Sequence, residues 1–180
     1  MKTIENTLVI IKNDTIKRGL VGQIIQKFEN AGLKIIAMRM EKPTKKVARE
    51  HYQQEKGWKE RVGKKALAIF KNDADIIKCF GTNSVLEIGQ MIFDWSVDQL
   101  IGKEVIVMAL QGPNAINKVV AITGPSDPSN ADLSTIRGTY SCDTYLHSNS
   151  EKRAIYNVIH RSDNADEAKR ELKVWFKNVK

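Results

Sequence analysis

Apolar positions along the chain follow two rhythms, one suited to buried strands and one to amphipathic helices. The run Thr7–Lys12 is short, apolar and β-branched, so it predicts a buried strand. Asn13-Asp14 and Lys17-Arg18-Gly19 then turn the chain. Leu20, Val21, Ile24, Ile25 and Phe28 recur at helical spacing, and Gly32 stops that helix. Leu33–Met40 reads as a second strand, and Pro43-Thr44 opens a helix carrying Val47 and Tyr52. Ala66–Phe70 and Ile76–Phe80 predict short helices broken near Asn72-Asp73, and Val85, Ile88, Ile92 and Phe93 mark a better amphipathic helix. Glu104–Leu110 is a third strand. Asn114–Ile122 is a helix stopped by Gly124-Pro125, and Ser126–Ser134 is a polar loop. Tyr156–His160 predicts a short fourth strand. Asn164 and Glu167 are spaced as a capping-box variant, ahead of a helix with Ala168, Leu172, Trp175 and Phe176 on its buried stripe.

Strands interleaved with helices on a small sheet predict one α/β (α+β) sandwich over residues 1–180. Its expected form is a ferredoxin-like split βαβ antiparallel sheet covered by helices. The length of 180 residues is enough for a real core. With 42% hydrophobic and 28% charged residues, the composition is that of an ordered globular protein. No apolar run reaches the length of a membrane span, so no membrane partner is expected. The N-terminal stretch Met1–Asn6 has no long apolar core and contains Glu5, which makes cytoplasmic residence the expectation. Cys79 and Cys142 lie far apart and form no paired motif, which argues against a disulfide framework or a structural zinc site. The net charge of +8 attracts polyanions. The lysines are spread along the chain, with no arginine stripe interleaved with aromatics, so a solvated surface is favoured over a nucleic-acid patch.

Three segments could carry chemistry. Lys12 closes a buried strand, where a cation can meet an anionic ligand or merely keep the strand end soluble. Ser134–Gly138 places hydroxyls, Arg137 and a glycine together, and the planar guanidinium fork matches phosphate oxygens. Asn157–Asp163 ends a short strand at His160, with polar helix caps immediately after. Of the three histidines, His51 and His147 have no such setting and read as structural.

The pattern Asn157, His160, Ser162, Asp163 resembles the active-site signature of the nucleoside diphosphate kinases. Further segments resemble the same family in order: Thr7–Asp14 with Lys12, Lys17–Gly22, Glu50–Tyr52, Gly124–Pro128, Thr135–Gly138, and Glu171. The resemblance covers nearly the whole chain. It implies a ping-pong enzyme that moves the γ-phosphoryl of a nucleoside triphosphate to a nucleoside diphosphate through a phosphorylated His160. A neutral imidazole is a nucleophile near pH 7, and the phosphoramidate it forms passes the group onward. Carried over position by position, Lys12 contacts the sugar hydroxyl and the transferring phosphate end. Tyr52 hydrogen-bonds near the γ-phosphoryl or the histidine, and Ser126 contacts the β-phosphate. Arg137 clamps phosphate oxygens, Asn157 holds the ribose hydroxyl, and Glu171 with Ser162 orients the imidazole. Mg²⁺ is the implied cofactor, held mainly by nucleotide phosphates rather than by protein ligands. Symmetric oligomers built on a dimer are implied, with dimer, tetramer and hexamer all open.

The chain departs from the family pattern at four positions and in length. Val120 stands where the family has a phosphate-binding arginine, and a lost charged hydrogen bond is worth roughly 1.5–3 kcal/mol. Arg161 replaces a small residue and either crowds the pocket or supplies the missing positive charge. Asn13 replaces a proline and Thr139 an aspartate. The segment between Tyr52 and Gly112 is long, resembling longer family forms with added helices, and places a helical insertion at about 57–103. Trp58 in that segment is a candidate to stack on the base, against the alternative of a core tryptophan. Val120 and Arg161 also motivate a second reading, a catalytically weakened nucleotide-binding pseudoenzyme or interaction module of the same fold. A basic nucleic-acid-binding protein is a third, motivated by the net charge.

Overall fold

The computed structural model describes residues 4–52 and 57–176; Met1–Thr3, part of the N-terminal stretch read above, lie outside them. Four strands form one sheet in the order β2-β3-β1-β4: β1 Ile4–Ile11, β2 Lys34–Glu41, β3 Val105–Pro113 and β4 Ile159–Arg161. Every neighbouring pair is antiparallel. This is the ferredoxin-like arrangement expected from the sequence. Side chains alternate across a strand, and β1 shows why its apolar run is unbroken. Leu8 and Ile10 enter one buried layer, with Val105, Val107 and Ala109 of β3. Val9 and Ile11 enter the other, with Ile106, Met108 and Leu110.

The helices divide between these faces. The Leu8 face is covered by α3 (Lys45–Tyr52), α6 (Val85–Leu100) and α10 (Ala165–Trp175), through Ala48, Phe93, Val97, Leu172 and Trp175. The Val9 face is covered by α2 (Val21–Asn30) and α7 (Ala115–Thr123), through Ile24, Phe28 and Val119. The intervening helices are α1 (Asn13–Lys17), α4 (Trp58–Leu67), α5 (Asp73–Phe80), α8 (Ile136–Tyr140) and α9 (Tyr145–Ser150), with a 3₁₀ turn at Pro128–Asn130.

Four local readings change. The turn after Lys12 is the one-turn helix α1, whose Thr15 and Ile16 N–H groups both bond to the Lys12 carbonyl. Of the helix read at Ala66–Phe70, only Ala66 and Leu67 are helical, as the end of α4, which begins at Trp58. Its early residues are mostly charged, so their apolar spacing is faint. The polar region after Ser126 contains α8 and α9, set by the caps Thr135 and Thr144, whose hydroxyls accept from Gly138 and His147 N–H. The fourth strand is only Ile159–Arg161. Val158 has φ of +72°, and the Ile159 N–H closes back on the Asn157 carbonyl at 2.8 Å. A three-residue turn of this hand is rare and strained, and a β-branched residue there is an outlier. It ends strand pairing two residues before His160.

Residues of α4 and α5 form a third apolar cluster with α6, including Ala66, Ile76, Phe80 and Ile88. Two glycines bring α4 and α6 into close approach. A Cβ on Gly63 would lie 2.0 Å from the Val85 carbonyl oxygen, and one on Gly89 would lie 2.1 Å from that of Lys59. Among the described residues no helix is long and apolar enough to cross a membrane. Gly89→Ala should push α4 off α6 and cost about 1–3 kcal/mol by overpacking. Denaturant unfolding reads the loss, and hydrogen exchange should place it in α4; unchanged stability would contradict this packing.

Candidate active site

His160 is the middle residue of β4 and pairs with Ile10 of the buried strand β1. Its Nε2 lies 3.0 Å from Glu171 Oε2 on α10, and the Ser162 hydroxyl donates to the same oxygen at 2.7 Å. Arg170 donates to the other carboxylate oxygen at 3.2 Å. Glu171 itself has no exposed surface. Burial alone would raise its pKa, but the imidazoles of His160 and His51 and the hydrogen bonds from His160 and Ser162 outweigh it. The carboxyl is held well below its usual range. With Nε2 engaged by a carboxylate, Nδ1 is left as the ring nitrogen to carry the free lone pair.

The phase of α10 delivers this contact. Asn164 Oδ1 accepts from the Glu167 N–H at 2.9 Å, while Glu167 Oε2 accepts from the Asp163 N–H at 3.0 Å. This reciprocal cap starts the helix directly after the strand. Ala168, Leu172 and Trp175 then face the core and Glu171 faces His160.

His51, read from sequence as structural, packs directly against His160. The two rings meet edge-on with centroids 4.3 Å apart, and Tyr52 adds a second edge contact at 6.1 Å. Trp175 Nε1–H donates to His51 Nδ1 at 3.1 Å, which places the His51 proton on Nε2. Burial first, then the neighbouring His160, pushes His51 down to about 3, so it stays neutral. Burial, reinforced by Glu171, raises the Tyr52 phenol, so it keeps its proton. The only signal for His51 in the sequence was adjacency to Tyr52; its contact with His160 spans separate elements.

Lys12, Asn157 and Ser126 form a second chain of contacts. Lys12 Nζ donates to Asn157 Oδ1 at 2.7 Å, and Asn157 Nδ2 donates to the Ser126 carbonyl at 2.8 Å. Arg137 donates from Nε to the Asn157 carbonyl, from one terminal nitrogen to Gly124 and from the other to Ile159, at 3.2, 3.0 and 2.9 Å. It thereby straps both ends of the strained turn at Val158. Three of a guanidinium's five N–H donors are thus committed, leaving two to turn toward a ligand. The Val158 carbonyl is held from the other side by the Lys12 N–H and the Thr15 hydroxyl.

These groups line a cleft of about 260 Å³. Lys12, Tyr52, Ser126, Arg137, Asn157 and His160 all border it, while Ser162 and Glu171 support His160 from behind. Arg61 and Lys65 of α4 and Arg153 add to its cationic wall, as does Arg161. Trp58 also borders it, half-buried and edge-on to Phe93 at 6.2 Å. Val120 is not among the described lining residues. Burial, opposed by Asp14 and assisted by Arg137, brings Lys12 down to about 7. Burial and then Arg161 bring Arg137 down to about 9. A cleft that depresses its own cations in this way is built to receive negative charge.

Among the described residues the one cluster with metal-ligating spacing is His51, His160 and Glu171. Two imidazoles and a carboxylate already bonded to His160, Ser162 and Arg170 do not match the oxygen shell that Mg²⁺ requires.

A histidine backed by a buried carboxylate, at the mouth of a cationic cleft on a ferredoxin-like sheet, defines a phosphotransferase class of site. A sequence model for nucleoside diphosphate kinase matches residues 5–72 and 86–180. The nucleoside diphosphate kinase of Pyrobaculum aerophilum is 37% identical over 175 residues, 97% of this chain and 96% of that protein. That of Pyrococcus furiosus is 34% identical, over 98% of this chain and 86% of that protein. A crystal structure of an NDP kinase from Pyrobaculum aerophilum superposes with a TM-score of 0.92 at 35% identity, covering 98% of this chain and 97% of that one. A transition-state mimic of the Borrelia burgdorferi nucleoside-diphosphate kinase, with bound vanadate and ADP, superposes with a TM-score of 0.77 at 28% identity, covering 97% and 88%. The chain belongs to the nucleoside diphosphate kinase family, and the family's phosphotransferase activity, rather than a weakened binding module, is what these matches support.

The lowered Lys12 has a measurable consequence. In the free protein its charge is lost as pH rises through about 7, and a bound polyanion restores that charge. Near about pH 8, where nucleotide phosphates are already ionised, binding of ADP should therefore take up close to one proton. Calorimetry in buffers of different ionisation enthalpy measures it, and Lys12→Met should remove the uptake. Equal heats in all buffers would show that Lys12 is charged before binding.

Proposed function

We propose that His160 carries the phosphoryl group between nucleotides, and the observation that carries this is its Nε2 contact with the buried Glu171 carboxylate. In the first half-reaction Nδ1 attacks the γ-phosphorus of a nucleoside triphosphate. The N–P bond forms, the bond from γ-phosphorus to the β-phosphate oxygen breaks, and the diphosphate leaves with that electron pair. The imidazole becomes cationic as the N–P bond forms, and Glu171, positioned by Ser162, stabilises it through the Nε2 proton. In the second half-reaction an oxygen of another diphosphate attacks the same phosphorus and the N–P bond breaks, returning the neutral ring.

The other roles are those the family resemblance implies, and the presence of each residue at the cleft supports them. Lys12 contacts the sugar hydroxyl and the transferring phosphate end, and Asn157, its hydrogen-bond partner, holds the ribose hydroxyl. Ser126 meets the β-phosphate, Arg137 offers its remaining N–H groups to phosphate oxygens, and Tyr52 donates near the γ-phosphoryl. The nucleoside triphosphate and diphosphate partners arrive as Mg²⁺ complexes, the ion held by their phosphates, because the cleft wall is cationic and its carboxylates are few. Mg²⁺ supplies charge neutralisation on the transferring group. Residues 1–180 act as one domain, with α4, α5 and α6 in an insertion at about 57–103, from which α4 and α6 wall the cleft. A homo-oligomer is supported by the edge position of β2, which presents Met38 and Met40 at 52% and 57% exposure. Cytoplasmic residence fits a nucleotide-supplying enzyme without a membrane-spanning helix among the described residues.

Incubation with γ-labelled ATP should give an acid-labile, base-stable phosphoprotein and pass label to a second diphosphate. His160→Asn should abolish both. Labelling that persists in that variant would sink the assignment, and no labelling of the parent protein would sink the reaction.

A further inference from the structure

Arg161 is the last residue of β4, directly after His160, and is 8% exposed. Strand pairing puts it opposite Val9, on the face whose core is Val9, Ile11 and Ile159. A guanidinium on that face is expensive to bury unless it is fully paired. Its pairing is incomplete. Nε is buried with no partner, and one terminal nitrogen only approaches the Gly124 carbonyl, at 3.5 Å. The other pairs with Asp163, whose side chain is 59% exposed and therefore in competition with water. Arg137 donates to the same Gly124 carbonyl at 3.0 Å, so two guanidinium groups converge on one oxygen at the wall of the cleft. Arg137 is largely committed to carbonyls around the strained turn, whereas Arg161 retains free donors. Two adjacent buried cations with spare N–H groups repel each other until an anion lies between them.

We infer that Arg161 is a phosphate-contacting residue: it exchanges Asp163 for the polyphosphate of a bound nucleoside diphosphate or triphosphate and grips it beside Arg137. Asp163 then acts as the resting partner that keeps the guanidinium folded against the cleft. This rests on the nucleotide reading of the cleft but assigns a residue that the reading did not use.

The test measures ADP affinity by calorimetry for the full chain and for Arg161→Gln, Arg161→Lys and Asp163→Asn, with phosphohistidine labelling and thermal unfolding measured alongside. Arg161→Gln should weaken ADP binding roughly 10- to 100-fold, about the loss expected for one charge-assisted contact. Arg161→Lys should recover part of that loss. Asp163→Asn, which removes the competitor, should bind ADP as tightly as the parent or more tightly. If Arg161 and Asp163 were only a structural pair, both variants would lower the melting temperature equally and leave ADP affinity unchanged, which would overturn the inference. If Arg161→Gln fails to fold, Arg161→Lys and Asp163→Asn still decide: weaker ADP binding in Asp163→Asn would overturn it as well. A parent protein that takes no label from ATP would indict the phosphotransfer reading instead, and the affinity series would still judge the phosphate contact.

Discussion

The hydrogen bond between His160 and the buried carboxylate of Glu171 is the constraint on which the rest of the site turns. A carboxylate without solvent exposure is tolerated only when its oxygens are fully engaged, and here His160, Ser162 and Arg170 engage them. That requirement ties α10 to β4 in one rotational phase. The reciprocal cap at Asn164 and Glu167 starts the helix at the right residue, and the apolar stripe through Trp175 holds it against the sheet. With the helix phase shifted by one residue, a rotation of about 100°, Glu171 would face solvent or the core. The same helix end supplies the Trp175 N–H that fixes the His51 proton, so the ring packed against His160 is also set by α10.

Around that fixed point the protein gathers cations and deprives them of water. Lys12, Arg137 and Arg161 are all largely buried near His160, and burial is the leading cause of each lowered pKa. Such a cleft is strained in the absence of a polyanion and relaxed in its presence, the usual trade of local stability for preorganised function. Backbone strain is concentrated in the same place. Val158 is held at positive φ by Arg137 on one side and by Lys12 and Thr15 on the other. Residues proposed to serve the ligand therefore also hold the turn that precedes His160.

The segment from α4 to α6 contributes a wall of the cleft. α4 and α5 have their own apolar cluster with α6, and the glycine contacts between α4 and α6 set how closely those two helices approach. Trp58, Arg61 and Lys65 reach the cleft from it.

The sequence by itself determined the periodic elements, because a strand buried on both faces and an amphipathic helix each impose a spacing that no other packing requires. Thr7–Lys12, Glu104–Leu110 and the Leu20–Phe28 helix were legible for that reason, and so was the linear cluster from Asn157 to Asp163 with its helix cap. Less was legible where a polar side chain or a close backbone contact, not hydropathy, sets the conformation. α8 and α9 rest on threonine caps, α4 has a charged start, and the fourth strand is cut short by a strained turn. Only the tertiary structure decided which distant residues share the cleft. His51 lies against His160 and Arg161 converges with Arg137 because antiparallel pairing, helix phase and burial bring separate elements together. Spacing along the chain carries no record of those distances.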